Sequence, residues 1–195
     1  SSGIPASAFT AGLSQRDRFF VVHPVNPPHL IPAVEIVPAP WSDLSHVQVL
    51  RTLMLDLGQE PILVNGEIEG FVLNRLQGAL LNEAWALYAD GYASIEDIDR
   101  TVRAGLGLRW SLMGPFETID LNAPGGVADY AQRLQPLYHA VAQSRRDPLP
   151  WPEQAIAQAS LELDTLHAGE RRDDRQSRRD EWLLTLKKTK TLLAK

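Results

Sequence analysis

Two periodicities divide this chain of 195 residues near position 67. Before it, short apolar runs alternate with turn residues; after it, apolar positions recur every three or four residues. Arg18–His23 (RFFVVH) and Ala33–Val37 (AVEIV) read as strands joined by the proline-rich stretch PVNPPH. Leu44–Leu57 carries an amphipathic helical pattern closed by Gly58, and Pro61–Val64 reads as one more strand. From Gly70 onward Phe71, Leu76, Leu80, Ala84 and Leu87 share one broad helical face that stops at Gly91. Ser94 with Asp97 makes a capping-box start for a helix through Arg103. The turn Met113-Gly114-Pro115 opens a short helix to Leu121, and Val127, Tyr130, Leu134, Leu137 and Val141 define another over Gly126–Gln143. Pro148, Pro150 and Pro152 mark a linker, with helices expected from Pro152 to His167 and over Arg178–Ala194. The pattern therefore predicts a mainly α protein in which the tail of an α/β sheet (1–67) precedes an all-helical region (68–147) and a helical extension (148–195).

Composition narrows the class. A 44% hydrophobic content over this length suffices for one good core and a smaller attachment. The longest uncharged run, Phe19 to Val34, is interrupted by four prolines, so no membrane span is expected. There is no cysteine, which removes disulfides and thiol nucleophiles and suits a reducing cytoplasm. Residues 1–143 hold 8 Lys and Arg against 15 Asp and Glu, while residues 144–195 hold 11 against 9. An acidic body argues against a nucleic-acid partner, and the carboxyl-terminal charges, mixed in sign, read first as a solvated helix face. His29, His46, His139 and His167 lack metal-ligand spacing, so no metal is expected. Trp85, Trp110, Trp151 and Trp182 read as packing residues, and Trp41 as the start of the first long helix.

One pair of residues carries chemistry. Glu35 stands inside an apolar strand where valine would be at home, and a buried carboxylate needs a partner. His23, twelve residues earlier and across the proline-rich turn, is the nearest candidate. Pro24 biases His23 toward extended backbone, which would project the imidazole from the carboxyl end of a strand, where open parallel sheets hold ligands. A carboxylate-oriented histidine is how an enzyme builds a general base near neutral pH. Spacing alone serves a buried structural pair just as well.

Three segments in fixed order, HPVNPPHLIPAVEIVPAPW, EIEGFVLNRLQGALLNEAWALYADG and SIEDIDRTVRAGLGLRWSLMGPFETIDLNAPGG, add a second line of reasoning. From Ser1 to about Gln143 the chain resembles the carboxyl-terminal part of the 3-hydroxyacyl-CoA dehydrogenase superfamily, nearest the branch that contains lambda-crystallin and L-gulonate 3-dehydrogenase. The resemblance implies the last strands and helix of a Rossmann-type NAD-binding domain, then a helical domain that shapes the substrate cleft and forms a homodimer. It implies His23 as the base and Glu35 as its orienting carboxylate. Asn74, in GFVLNR, falls on the family's catalytic asparagine, and Ser2, twenty-one residues before His23, on its substrate-contacting serine. Asn26, in HPVN, falls near the nicotinamide, and Arg109, in LGLRW, where the gulonate-like branch carries an arginine suited to gripping a small carboxylate.

The same resemblance calls for a G-x-G-x-x-G turn, and none occurs in these residues. The cluster Gly105-Leu106-Gly107 has Trp110 where a third glycine would fall, so it is not a cofactor loop. The chain is accordingly read as a fragment or processed piece, inactive by itself. Three functions follow: part of an NAD-dependent dehydrogenase of a free 3-hydroxy acid, the same chemistry on a 3-hydroxyacyl-CoA or L-carnitine, or a crystallin-like oligomerisation module without activity. The first 186 residues contain no lysine to meet CoA phosphates, which favours a small acid.

Overall fold

The computed structural model describes residues 2–145 and 150–193, which form two compact units: Ser1–Leu80 with Glu170–Lys195, and Leu81–Gly169. The first unit begins with helix α1 (Ser7–Thr10) and one 3-10 turn (Arg16–Arg18), followed by strands β1 (Phe20–Pro24) and β2 (Ala33–Pro38). Helix α2 (Ser45–Asp56), strand β3 (Glu60–Leu63) and the start of α3 (Leu73–Ala89) come next. The 3-10 turn trims the expected first strand at its start, and α1, with only a four-residue pattern, was not foreseen.

The sheet has the order β1-β2-β3 and is mixed. β2 and β3 run parallel because α2 supplies a crossover between them, whereas residues 25–32 between β1 and β2 are too few for one. β1 therefore turns back antiparallel, placing His23 directly opposite Glu35. His23 lies near the carboxyl end of its strand as expected, but that strand is antiparallel to its neighbour, which corrects the expectation of a parallel-sheet setting. As the middle strand, β2 is buried almost throughout, and Val21, Val37, Val64 and Phe71 join Ala6 and Ala39 in the core. Trp41 does not start a helix but packs against this core from the loop ahead of α2, with the Arg16 guanidinium 4.6 Å above its ring. Asp43 accepts the Ser45 N–H at 2.9 Å and so caps the entry to α2. Helix α9 (Arg172–Leu193) also belongs to this unit and starts six residues earlier than its apolar pattern suggested. Its first turn carries Asp173 and Asp174 and its last Lys190, an arrangement that suits the helix dipole. The expected end at Ala194 lies outside the described residues.

The second unit holds the remainder of α3, then α4 (Ile95–Thr101), a π turn (Val102–Leu106), α5 (Gly107–Trp110), α6 (Pro115–Leu121), α7 (Gly126–Ser144) and α8 (Glu153–Leu166). Ser94 caps α4 as its spacing implied, its Oγ accepting the Asp97 N–H at 3.1 Å. The helix does not end at Arg103, because the π turn carries it on to Trp110. A Cβ at Gly107 would lie 2.9 Å from the Val102 carbonyl oxygen, so the wide turn requires glycine there. Trp85 stacks on Trp151 with centroids 5.1 Å apart, and Trp151 Nε1 donates to Asn82 Oδ1 at 3.1 Å. Tyr88 donates to Glu162 at 2.9 Å, a second tie between α3 and α8. Of the expected linker prolines, Pro148 lies outside the described residues, and Pro152 precedes the first residue of α8. Among the described residues no helix is long and apolar enough to cross a membrane.

Candidate active site

The register of β1 on β2 builds the centre of the site. His23 and Glu35 are 5% and 1% exposed, and Glu35 Oε2 lies 3.0 Å from His23 Nδ1. A carboxylate only accepts, so Nδ1 carries the proton of this bond. Nε2 makes no hydrogen bond to any described residue, which leaves its lone pair free.

The second carboxylate oxygen has its own task. Glu35 Oε1 accepts the N–H of Val72 at 2.9 Å and of Leu73 at 3.0 Å. These are the amide just ahead of α3 and the first amide of the helix, neither with a partner inside it, so Glu35 caps the helix from a strand. One side chain thereby orients the imidazole and fixes the start of the helix that carries Asn74.

Chain direction just before α3 makes this capping geometry feasible. Gly70 and Phe71 are both left-handed, with φ of 78° and 52°. The glycine suits that conformation, while for phenylalanine it is uncommon. Phe71 is fully buried, and its ring meets the His23 imidazole at a centroid distance of 5.4 Å and an angle of 60°. Sequence periodicity had placed Phe71 on the helix face; it lies ahead of the helix and against the histidine. Gly70 was the one local signal that the helix starts after a tight turn.

The remaining candidates fall as follows. Asn74 is half-buried near the amino end of α3, next to the amide held by Glu35. Ser2 is exposed, but its neighbour Gly3 lies against the same corner: Gly70 N donates to Gly3 O at 3.4 Å, and a Cβ on Gly3 would come within 3.9 Å of Asn74 Nδ2. Asn26 is exposed in the turn after β1, before a cis peptide bond to Pro27. His23, Glu35, Asn74, Asn26 and Ser2 thus belong to the first unit. Arg109 belongs to the second, exposed on α5 and without an ion pair among the described residues. Its charge is felt at Tyr130, whose phenol is held above the ordinary tyrosine range by the hydrogen bond with Tyr138 at 2.9 Å, then by burial, with Arg109 opposing.

A buried His–Glu pair that leaves one imidazole nitrogen free, on a small sheet leading into helices, has the geometry a general base would need. Residues 1–68 match the family model for the NAD binding domain of 3-hydroxyacyl-CoA dehydrogenase, and residues 70–168 match that for its C-terminal domain. The chain belongs to the 3-hydroxyacyl-CoA dehydrogenase family. Over 162 residues it is 41% identical to a 3-hydroxyacyl-CoA dehydrogenase of Gibberella moniliformis, covering 80% of this chain and 50% of that one. Identity to lambda-crystallin of Oryctolagus cuniculus is 47% over 122 residues, covering 63% and 38%. With an L-carnitine dehydrogenase of Oceanobacillus iheyensis it is 34% over 194 residues, covering 95% and 61%. The chain thus spans 38% to 61% of the length of these three relatives.

Solved structures agree. The crystal structure of 5-formyl-3-hydroxy-2-methylpyridine 4-carboxylic acid 5-dehydrogenase, an NAD+-dependent dismutase, is similar with a TM-score of 0.76 at 26% identity, covering 98% of this chain and 62% of that one. A 3-hydroxyacyl-CoA dehydrogenase from Archaeoglobus fulgidus gives 0.62 at 25%, covering 98% and 64%.

Proposed function

We propose that the chain supplies the base and the substrate-binding helices of a cytoplasmic NAD-dependent dehydrogenase that oxidises the secondary hydroxyl of a 3-hydroxy acid to a ketone. The observation that carries this reading is the buried His23–Glu35 pair with Nε2 left free. His23 Nε2 takes the carbinol proton, and Glu35 holds the tautomer and offsets the charge of the imidazolium that forms. The Asn74 amide donates to the substrate oxygen, and Ser2, whose segment lies against Asn74, supports the same atom.

When bound, NAD accepts the hydride from the carbinol carbon. The residues present suit the reacting end of such a cofactor: a base with a free lone pair, and the exposed Asn26 amide three residues further on. None of them forms a G-x-G-x-x-G turn for the pyrophosphate. Arg109 pairs with the substrate carboxylate, a role supported by its exposure and its freedom from ion pairs among the described residues. Exposed Val127, Leu137, Tyr138 and Val141 on α7 support a homodimer built by the helical part. Residues 1–67 would serve the nucleotide, 68–147 the substrate and the dimer, and 148–195 would extend the helical part.

Substitution His23→Asn in the whole protein tests the reading. Turnover should fall by about 10²–10⁴, the usual contribution of a general base, while NAD binding measured by calorimetry stays near its wild-type value. Turnover close to wild type would remove His23 from the chemistry. Assays of Arg109→Met on a 3-hydroxy acid, L-carnitine and a 3-hydroxyacyl-CoA decide the substrate class: equal losses on all three would make the arginine structural.

A further inference from the structure

We infer that Phe71 is a positioning residue for His23: its ring is the second support that holds the imidazole in the orientation set by Glu35. A single hydrogen bond at Nδ1 fixes one atom of the imidazole and leaves the ring free to tilt about that bond. The direction of the Nε2 lone pair, on which proton transfer depends, needs a further contact. The Phe71 ring supplies it, packed against the imidazole at a centroid distance of 5.4 Å and 60° between planes.

The backbone gives the argument its weight. The turn needs left-handed residues at 70 and 71 so that the next two amides reach Glu35 Oε1. Glycine would satisfy both positions, as it does at Gly70, yet position 71 holds a phenylalanine at φ 52°. A ring needed only to fill the core would not call for this conformation, which L side chains rarely adopt. Here the strained turn brings amides to one oxygen of Glu35, while its side chain reaches the histidine bonded to the other. Glu35, His23 and the start of α3 are thereby locked as one body.

The test has a spectroscopic arm that does not depend on the proposed reaction and a kinetic arm that rests on it. In the protein labelled with 15N-histidine, His23 should show a single tautomer with its proton on Nδ1, and its ring protons should show cross-relaxation to the Phe71 ring. In Phe71→Leu and Phe71→Met the tautomer set by Glu35 should persist while the His23 ring signals broaden as the ring tilts about its Nδ1 bond, and the signals of His46 and His139 should stay put. Val21→Ala, in the same core cluster, is the structural control: it should lower the unfolding midpoint and leave the His23 signals unchanged. In the whole protein both Phe71 variants should lose about 10- to 100-fold in kcat with KM within about threefold, the pattern of a misplaced catalytic group.

His23 signals identical to wild type in both variants, or broadened as much by Val21→Ala, would overturn the inference. Should neither variant fold, the wild-type cross-relaxation and single tautomer decide, and their absence overturns it. Signals that broaden while kcat holds would sustain the positioning role and overturn instead the assignment of His23 as the base.

Discussion

Replacing Glu35 separates its two tasks. In Glu35→Ala three donors lose their acceptor at once: His23 Nδ1–H and the amides of Val72 and Leu73. Buried donors left without a partner cost about 1–3 kcal/mol each, and breaking a buried pair by deleting one partner costs about 3–5 kcal/mol. The first amides of a helix recover some of this by binding water, so the expected loss is about 4 kcal/mol, a large fraction of the stability of a small domain.

Glu35→Gln behaves differently. Its single carbonyl oxygen serves best where it meets two amides, at the position of Oε1, which turns its NH2 toward His23. Nδ1 must then accept, the proton moves to Nε2, and the base has no lone pair to offer. Each hydrogen bond also changes from charged to neutral, at about 1 kcal/mol apiece, so about 2–3 kcal/mol of stability goes while the fold stays. Urea unfolding followed by circular dichroism measures both losses, and turnover in the whole protein should fall by about 10²–10⁴ for Glu35→Gln. A loss below about 1 kcal/mol in Glu35→Ala would refute the three-bond junction, since even one orphaned buried donor exceeds it. Full activity in Glu35→Gln would refute the tautomer argument.

Two further outcomes follow from local geometry. Gly70→Ala should cost about 1–2 kcal/mol by urea unfolding, because a Cβ there meets its neighbours at an ordinary 3.5 Å and the penalty is that of φ 78° alone; an unchanged midpoint would contradict the left-handed turn. The Asp43 carboxyl is held below the ordinary aspartate range, first by the Ser45 backbone N–H and then by its hydroxyl. A depressed folded value means that its capping of α2 stabilises the protein above the unfolded value and is lost as pH falls through the folded one. Carbon NMR should find the Asp43 midpoint lower than that of a free aspartate, and a higher midpoint would contradict the cap.

The pair at the heart of the site was legible because a glutamate in an apolar strand is costly, and that cost names its own partner. Ser94 with Asp97 was legible for the same local reason: the cap is written in four consecutive residues. Phe71 was not, since an apolar residue ahead of a helix looks like its first core position, and nothing in the residue type announces a positive φ. The antiparallel turn of β1 was hidden in the shortness of its connection rather than in any apolar pattern. The π turn escaped because the helical pattern was followed only to Arg103, whereas glycine at 107 lets the helix continue past a close carbonyl. The early start of α9 escaped because Arg172–Arg179 offers charge pattern alone.

The three-stranded sheet has an open side beyond β1 and another beyond β3 among the described residues, and on β3 Ile62 and Leu63 are exposed. Unpaired strand backbone flanked by apolar side chains is a template for a further strand from any chain that offers one. Strand-against-strand association of these residues in solution would be a route separate from the helix-against-helix dimer proposed above. A lysine placed at Leu63 blocks the strand route and leaves the helices untouched, so it belongs in any preparation whose oligomeric state is to be interpreted.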